Sequence, residues 1–378
     1  MSIDLGAPEA RYDRQELITW WDQSRLTAAR VLVVGAGALG NELVKNLALL
    51  GVGNIDVIDL DVVARSNLSR CVFFRETDEG RAKAQVVADR ASEVNPEVEV
   101  TGIFGDVRRI GVAHLRRYDL VLGGLDNREA RVWVNAACRK LGMTWIDGAI
   151  EGLQGVLKVF PPTGPCYECT LGETDRQILA HRKSCTLLSE EAMLEGKVPT
   201  TATTSSIIAG LQVQEAVKLL VGRDDLVTLN GAGLVIVGET LDTFRVAYTA
   251  DQWCPAHDSY DDLVDVAIDS RTTLRDVAAV CEPSEGAVLD LEGDLVRMTT
   301  CPACHQEKPV GRMLLALTAD DGICGCGEIL QLLTATAVSL DDPVTERSLD
   351  DLGLLRGDVV TVRDGNQRSH LALGALPT

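Results

Sequence analysis

The sequence predicts an α/β fold, doubly wound around a mostly parallel sheet, on three observations. An apolar run at residues 31–34 enters GAGALG and continues into a helical pattern that ends near Leu50. A second strand, residues 55–58, ends at Asp59, about 20 residues past the glycines. Candidate strands at 98–103, 120–123 and 145–146 then alternate with helical patterns at 82–94 and 128–141, which places helices on both faces of a parallel sheet.

Taken in order, residues 1–28 read as an arm with a helix around Arg14 to Trp21, and the first strand comes next. Gly35, Gly37 and Gly40 stand at G-x-G-x-x-G spacing. Glycines let the backbone approach a phosphate, the helix N-terminus offers N–H groups, and Asp59 is placed to accept from ribose hydroxyls. The run is a nucleotide site. Residues 155–160 form a further strand. Residues 166–199 are a long polar segment without periodicity, of the length that compact domains reserve for function. SSIIAGLQVQEAVKLL is a strong helix. After about Tyr260 the character changes: TTLRDV starts a helix, CPAC and CGCG come after it, and SLDDLGLLRGDVVTVRDG reads as a loop, one strand and a turn.

With 378 residues the chain has room for two or three domains and a sizeable core. Apolar residues make up 46%, charged residues 24% and aromatics 4%, an α/β balance. No signal peptide precedes GAPEARYDRQ, and no apolar run approaches the roughly 18 residues of a membrane span, so a cytoplasmic location is expected. A net charge of −20 argues against nucleic acid as a partner. Solubility explains that charge most simply.

G-x-G-x-x-G alone suits a dinucleotide enzyme, but the segments downstream of it do not. IDLDVVARSNLSR, then Lys83, then LDN at residues 125–127 resemble the adenylating domain shared by ubiquitin-activating enzymes and the sulfur-carrier adenylyltransferases of thiamine and molybdopterin synthesis. The resemblance runs from about Arg11 to His257. It implies ATP in place of NAD, and a Rossmann-like adenylation domain at 29–260. Asn67, Arg70 and Lys83 match the family's triphosphate-contacting positions and Asp126 its magnesium-binding aspartate. Arg14, in RYDRQ, matches an arginine that crosses a homodimer interface into the partner's ATP site. Asp61 and Asp106 are left as ordinary turn or surface residues.

Eleven cysteines in a chain without a secretion signal point to metal ligands or reactive thiols more than to disulfides. Cys166 and Cys169 in CYEC have the spacing of a zinc knuckle, and Cys254 with His257 in WCPAH lie where the family places a second C-x-x-C. Cys301, Cys304, Cys324 and Cys326 make a second set, similar to a zinc ribbon. A rival arrangement pairs Cys166 and Cys169 with Cys301 and Cys304. Two separate Zn2+ ions, both structural, are preferred. Cys71, Cys138 and Cys281 sit in apolar surroundings and read as inert.

Cys185, in AHRKSCTLL, lies in the segment 166–199 where ubiquitin-like activating enzymes carry the cysteine that accepts the activated C-terminus. His181, Arg182 and Lys183 beside it favour the thiolate. The resemblance therefore implies adenylation of the C-terminal carboxylate of a ubiquitin-like β-grasp protein, thioester formation on Cys185, and transfer to a conjugating enzyme. The alternative is a sulfur-carrier adenylyltransferase. The long loop, SCT followed by TTATTSSIIAGLQVQEA, and the lack of a recognisable sulfurtransferase domain favour conjugation. An inactive scaffold is disfavoured by Arg14, Arg70, Lys83, Asp126 and Cys185 all being present. Residues 261–378 are expected to be a zinc-containing extension for docking a partner, its tail similar to the small ubiquitin-like domain of eukaryotic activating enzymes. One chain with both ATP site and cysteine also fits bacterial ubiquitin-like conjugation operons associated with antiphage defence.

Overall fold

The computed structural model describes residues 10–175, 177 and 199–374 of the chain. These form two compact units. The first holds 10–107, 118–170 and 199–256; the second holds Arg108–Arg117, 171–175, 177 and 257–374.

The first unit is an eight-stranded sheet in the order β3-β2-β1-β4-β5-β6-β7-β8. Its strands are β1 (Arg30–Val34), β2 (Asn54–Asp59), β3 (Glu99–Phe104), β4 (Leu120–Gly123), β5 (Trp145–Glu151), β6 (Gln154–Phe160), β7 (Ala232–Val237) and β8 (Asp242–Ala247). The first five run parallel, with Val33 of β1 opposite Val57 of β2 on one side and Leu122 of β4 on the other. From β5 onward each neighbour is antiparallel. Val31, Leu32, Val33 and Val34 of β1 and Leu120, Val121 and Leu122 of β4 are all buried. Apolar side chains on consecutive residues, with no polar face, are what a sheet covered on both sides demands.

Helices α1 (Asp13–Glu16), α2 (Gln23–Ala28), α3 (Ala38–Leu49), α4 (Lys83–Val94), α5 (Arg128–Lys140) and α6 (Ala202–Leu220) belong to this unit. The doubly wound prediction holds, and its strands and helices fall within a few residues of their expected places. The arm is the exception. The helix expected around Arg14 to Trp21 is only the short α1, and a separate α2 begins beyond it, where Asp22 caps its start by accepting from Arg25 N at 3.2 Å. Strands β7 and β8 have no counterpart in the sequence reading. Among the described residues no helix is long and apolar enough to cross a membrane.

The second unit is a six-stranded sheet of β9 (Leu263–Val266), β10 (Val288–Thr300), β11 (Glu307–Met313), β12 (Gln331–Ser339), β13 (Val359–Asp364) and β14 (Gln367–Leu373), ordered β11-β10-β13-β14-β9 with β12 also on β10. Helices α7 (Leu274–Ala279) and α8 (Leu349–Leu352) pack with it. Thr273 caps α7 reciprocally with Asp276, as TTLRDV predicts. SLDDLGLLRGDVVTVRDG carries the one strand and the turn read from sequence, but its loop holds α8; β13 and β14, the latter beyond that segment, form a hairpin around Gly365, whose φ of 59° suits glycine. Residues 108–117 join this unit too. Ala113 N donates to Gly357 O at 2.8 Å, and Gly111 lies so close that a Cβ there would be 2.3 Å from the Gly357 carbonyl carbon.

Burial raises the Asp358 carboxyl in this unit to about 6, helped by Glu292 and opposed by the Leu355 amide and Arg109. The folded state therefore holds this proton to higher pH than the unfolded chain, whose aspartates release it near 3.9. Asp358 is neutral to stability below about pH 4 and subtracts from it increasingly between pH 4 and 6. Asp358→Asn keeps the acceptor for Leu355 N, so its stability relative to wild type should rise across that window. Urea midpoints at pH 4 and 7 check this; an equal difference at both would refute it.

Candidate functional site

The sheet order reverses between β1 and β4, the switch point beyond whose carboxyl ends doubly wound folds bind ligands. The glycine loop occupies that place. Gly35 has φ 99°, and a Cβ there would meet Gly124 O at 2.5 Å; at Gly40 it would meet Gly35 O at 1.8 Å. At Gly37, the N-cap of α3, a Cβ would find nothing within 4 Å. Two glycines thus close the turn, and the third leaves open space at a helix N-terminus, the arrangement that admits a phosphate.

Asp59, at the end of β2, fastens the loop from the side. Its Oδ2 accepts from Ala36 N at 2.6 Å and its Oδ1 from Asp61 N at 2.7 Å. Burial raises its pKa, with Lys83 and those amides opposing. Asn41, wholly buried, ties the loop to the following segment: its amide nitrogen donates to Ala36 O and Gly37 O, and its oxygen accepts from Phe73 N. Asn67, also buried, accepts from Ala64 N at 3.0 Å and shapes a tight turn. Three residues on, half-buried Arg70 donates to Ser66 O at 2.7 Å.

Lys83 begins α4, with its side chain 12% exposed and its Nζ 2.6 Å from Asp61 Oδ2. Burial works to lower its pKa, but Asp59, Asp61 and Asp126 outweigh burial and raise it. The ammonium stays charged. The neighbouring Cys71 thiol feels Arg70, Lys83 and Asp59 together, yet burial pushes it up to about 11, an inert thiol as expected. Thus the structure brings Asp59 and Asp126 within electrostatic reach of Lys83, and Arg70, Lys83 and Asp59 within reach of Cys71. Asp61, read from sequence as an ordinary turn residue, is the partner of Lys83; the D-x-D pattern at the end of β2 was the available signal.

Asp126 is exposed in the turn after β4, and next to it Asn127 caps α5 by accepting from Ala130 N at 2.7 Å. The turn is anchored by a pair that sequence reasoning missed. Arg131 Nε lies 3.1 Å from both oxygens of Asp147, and its Nη2 donates to Leu125 O at 2.6 Å and Gly148 O at 3.0 Å. Burial tends to discharge this guanidinium, and the Asp147 carboxylate overrides it. Arg14 lies exposed on α1. Cys185, with His181, Arg182 and Lys183, lies outside the described residues.

The metal-ligating residues fall into the two preferred sets, and the rival pairing of CYEC with CPAC is not seen. Cys166, Cys169 and Cys254, with His257 following Ala256, present ligand atoms all within 4.8 Å of one another; so do Cys301, Cys304, Cys324 and Cys326. In the first set Cys166 Sγ is 3.7 Å from Cys169 Sγ and 3.6 Å from Cys254 Sγ. Zinc–sulfur bonds of about 2.3 Å give a tetrahedron with edges near 3.8 Å, so this donor set fits Zn2+.

Comparison with known proteins agrees with this geometry. The ThiF family pattern matches residues 12–256. The chain is 34% identical over 266 residues to the SAMP-activating enzyme E1 of Haloferax volcanii, covering 68% of this chain and 91% of that protein. It is 37% identical over 148 residues to SUMO-activating enzyme subunit 2 of Dictyostelium discoideum, covering 38% of this chain and 22% of that one. With the adenylyltransferase and sulfurtransferase MOCS3-1 of Zea mays it shares 33% over 217 residues, 56% of this chain and 44% of the other. It therefore spans nearly all of the haloarchaeal relative but less than half of the other two. Escherichia coli MccB with ATP has the same fold, at a TM-score of 0.54, 22% identity, and coverage of 67% and 75%. With more than half its length matched, the chain belongs to the ThiF family, among the ubiquitin-activating-type adenylyltransferases.

Proposed function

We propose that the protein activates the C-terminal carboxylate of a ubiquitin-like β-grasp protein with ATP and then carries it as a thioester on Cys185. The observation that carries this reading is Lys83, charged and anchored to Asp61, beside a glycine loop with open space at Gly37 and with Asp59 and Asp126 in reach.

In the first step a carboxylate oxygen of the partner attacks the α-phosphorus of ATP, and pyrophosphate leaves with the bonding electrons. Both reactants are anions, so cationic groups must offset their repulsion. The loop amides and the α3 N-terminus receive the phosphates, Asp59 the ribose, and Asn67, Arg70 and Lys83 the triphosphate. Arg14 of a second copy completes the site in a homodimer. Asp126 would hold Mg2+, which neutralises charge on the departing pyrophosphate. In the second step the Cys185 thiolate attacks the acyl carbon, AMP leaves, and a conjugating enzyme receives the acyl group. Cys166, Cys169, Cys254 and His257 hold a structural Zn2+. The reading places the protein in the cytoplasm, with no nucleic acid or membrane as partner.

Resemblance to the SAMP-activating enzyme supports conjugation. Resemblance to MOCS3-1 supports the second reading, delivery of the adenylate to sulfur chemistry. Cys185→Ala separates them. ATP–pyrophosphate exchange, dependent on the partner protein, should stay near wild type because adenylation precedes the thiol step. The adduct that is stable on a non-reducing gel but cleaved by thiols should vanish, and transfer to a conjugating enzyme with it. Wild-type protein that adenylates its partner yet never forms a thiol-labile adduct would overturn conjugation in favour of sulfur delivery.

A further inference from the structure

In the second unit, residues 295–300 of β10 are paired on both sides, with Leu295 opposite Met313 and Ala335, and Thr300 opposite Glu307 and Gln331. Beyond Leu295, Val296 and Met313, which are buried where the ribbon meets the rest of the sheet, this three-stranded ribbon has little core. Of β11 only Met313 is buried, and β12 buries nothing before Val338. Leu333 is 59% exposed, and Ile323 and Ile329 are exposed as well. Strands that cover so little apolar surface do not hold their pairing unaided.

At one end of the ribbon lie two turns built alike. In the first, Cys301 N donates to Gln306 O at 3.0 Å and His305 N donates to Cys301 O at 2.9 Å. In the second, Cys324 N donates to Glu328 O at 2.8 Å and Gly327 N donates to Cys324 O at 2.8 Å. The residue after the second cysteine is left-handed in both, His305 at φ 58° and Gly327 at φ 89°. That backbone costs energy at a histidine, so the surrounding structure must impose it. Cys304 N also donates to Cys301 Sγ at 3.4 Å. The sulfurs meet across the turns, Cys301 with Cys326 at 3.5 Å and Cys304 with Cys324 at 3.6 Å. These spacings approximate the edges of a zinc–thiolate tetrahedron, near 3.8 Å for bonds of about 2.3 Å.

We infer that Cys301, Cys304, Cys324 and Cys326 bind one Zn2+ and that this ion replaces a hydrophobic core for residues 295–337. Four thiolates close the coordination sphere, so the ion is structural and not catalytic. Because such a site exists only in the folded ribbon, its binding energy is folding energy for that segment. The inference goes beyond the proposed activity and does not depend on it.

The test uses the full chain and the Cys304→Ser/Cys326→Ser variant, which changes the two exposed ligands. Elemental analysis should show one zinc fewer per chain in the variant. Amide hydrogen exchange should rise at least tenfold across 295–337 while β1 and β4 keep their protection. An unchanged zinc count, or unchanged protection of 295–337 in a variant that has lost the ion, would overturn the inference. If the variant fails to accumulate folded, the wild type is titrated with a zinc chelator and followed by the same peptide-resolved exchange. Loss of protection across 295–337 with release of zinc supports the site; complete removal of zinc with that segment still protected sinks it.

Discussion

Asp126→Ala is expected to abolish ATP–pyrophosphate exchange while changing folding stability by less than about 0.5 kcal/mol, the range of an exposed surface substitution. Asp126 is exposed, and the structural work of its turn is done by its neighbours: Asn127 caps α5 and Arg131 holds the Leu125 carbonyl. Removing the carboxylate therefore costs the fold little. Its chemical loss is severe, because its charge reaches both Lys83 and Arg131. Urea unfolding and partner-dependent exchange together check the prediction. Undiminished exchange would show that the ion is held elsewhere, and a large loss of stability would show that the turn depends on Asp126 itself.

Arg131→Met should destabilise the protein by about 3–5 kcal/mol, the cost of leaving one member of a buried ion pair alone. Asp147 would be stranded with a side chain 2% exposed, and the carbonyls of Leu125 and Gly148 would lose their shared donor. The double variant Arg131→Met/Asp147→Leu should recover most of that loss, since no charge then remains buried. Urea denaturation of the two variants decides it. A single variant within about 1 kcal/mol of wild type would mean that the pair is far better hydrated than its burial implies. Exchange activity of the double variant, compared at equal folded fraction, measures how much the pair positions Asp126.

The contrast between these two residues shows what could be read before the structure. Gly35, Gly37, Gly40, Asp59 and Lys83 were legible as candidates because they lie in short segments at the end of a strand or the start of a helix, the glycines directly after the apolar run of β1. Arg131 and Asp147 were not, since their pairing spans a helix and the next strand and each alone resembles a surface charge. The candidate metal-binding residues and their preferred division into two sets were legible by spacing; what spacing could not show is the scaffold, with β10 leading into CPAC at one end of a ribbon. Strand β8 is almost wholly exposed and carries no strong apolar pattern, whereas β7, the run LVIV between glycines, was a legible strand signal that the sequence reading did not use. The separate α2 escaped because a single side chain, Asp22, decides where it begins.

The assignment of residues 108–117 to the second unit bears on how the protein folds during synthesis. Val112, Ala113 and Leu115 of that segment are buried in the finished molecule, and Ala113 donates to Gly357. At translation rates of 5–20 residues per second, Gly357 emerges roughly 10–50 s after Gly111. For that interval an apolar segment between β3 and β4 waits without its binding surface, while the strands around it are already able to pair. Nascent chains should therefore expose a chaperone-binding stretch in the middle of an otherwise maturing nucleotide domain. A ribosome stalled before Gly357 would leave that stretch open to aggregation or proteolysis.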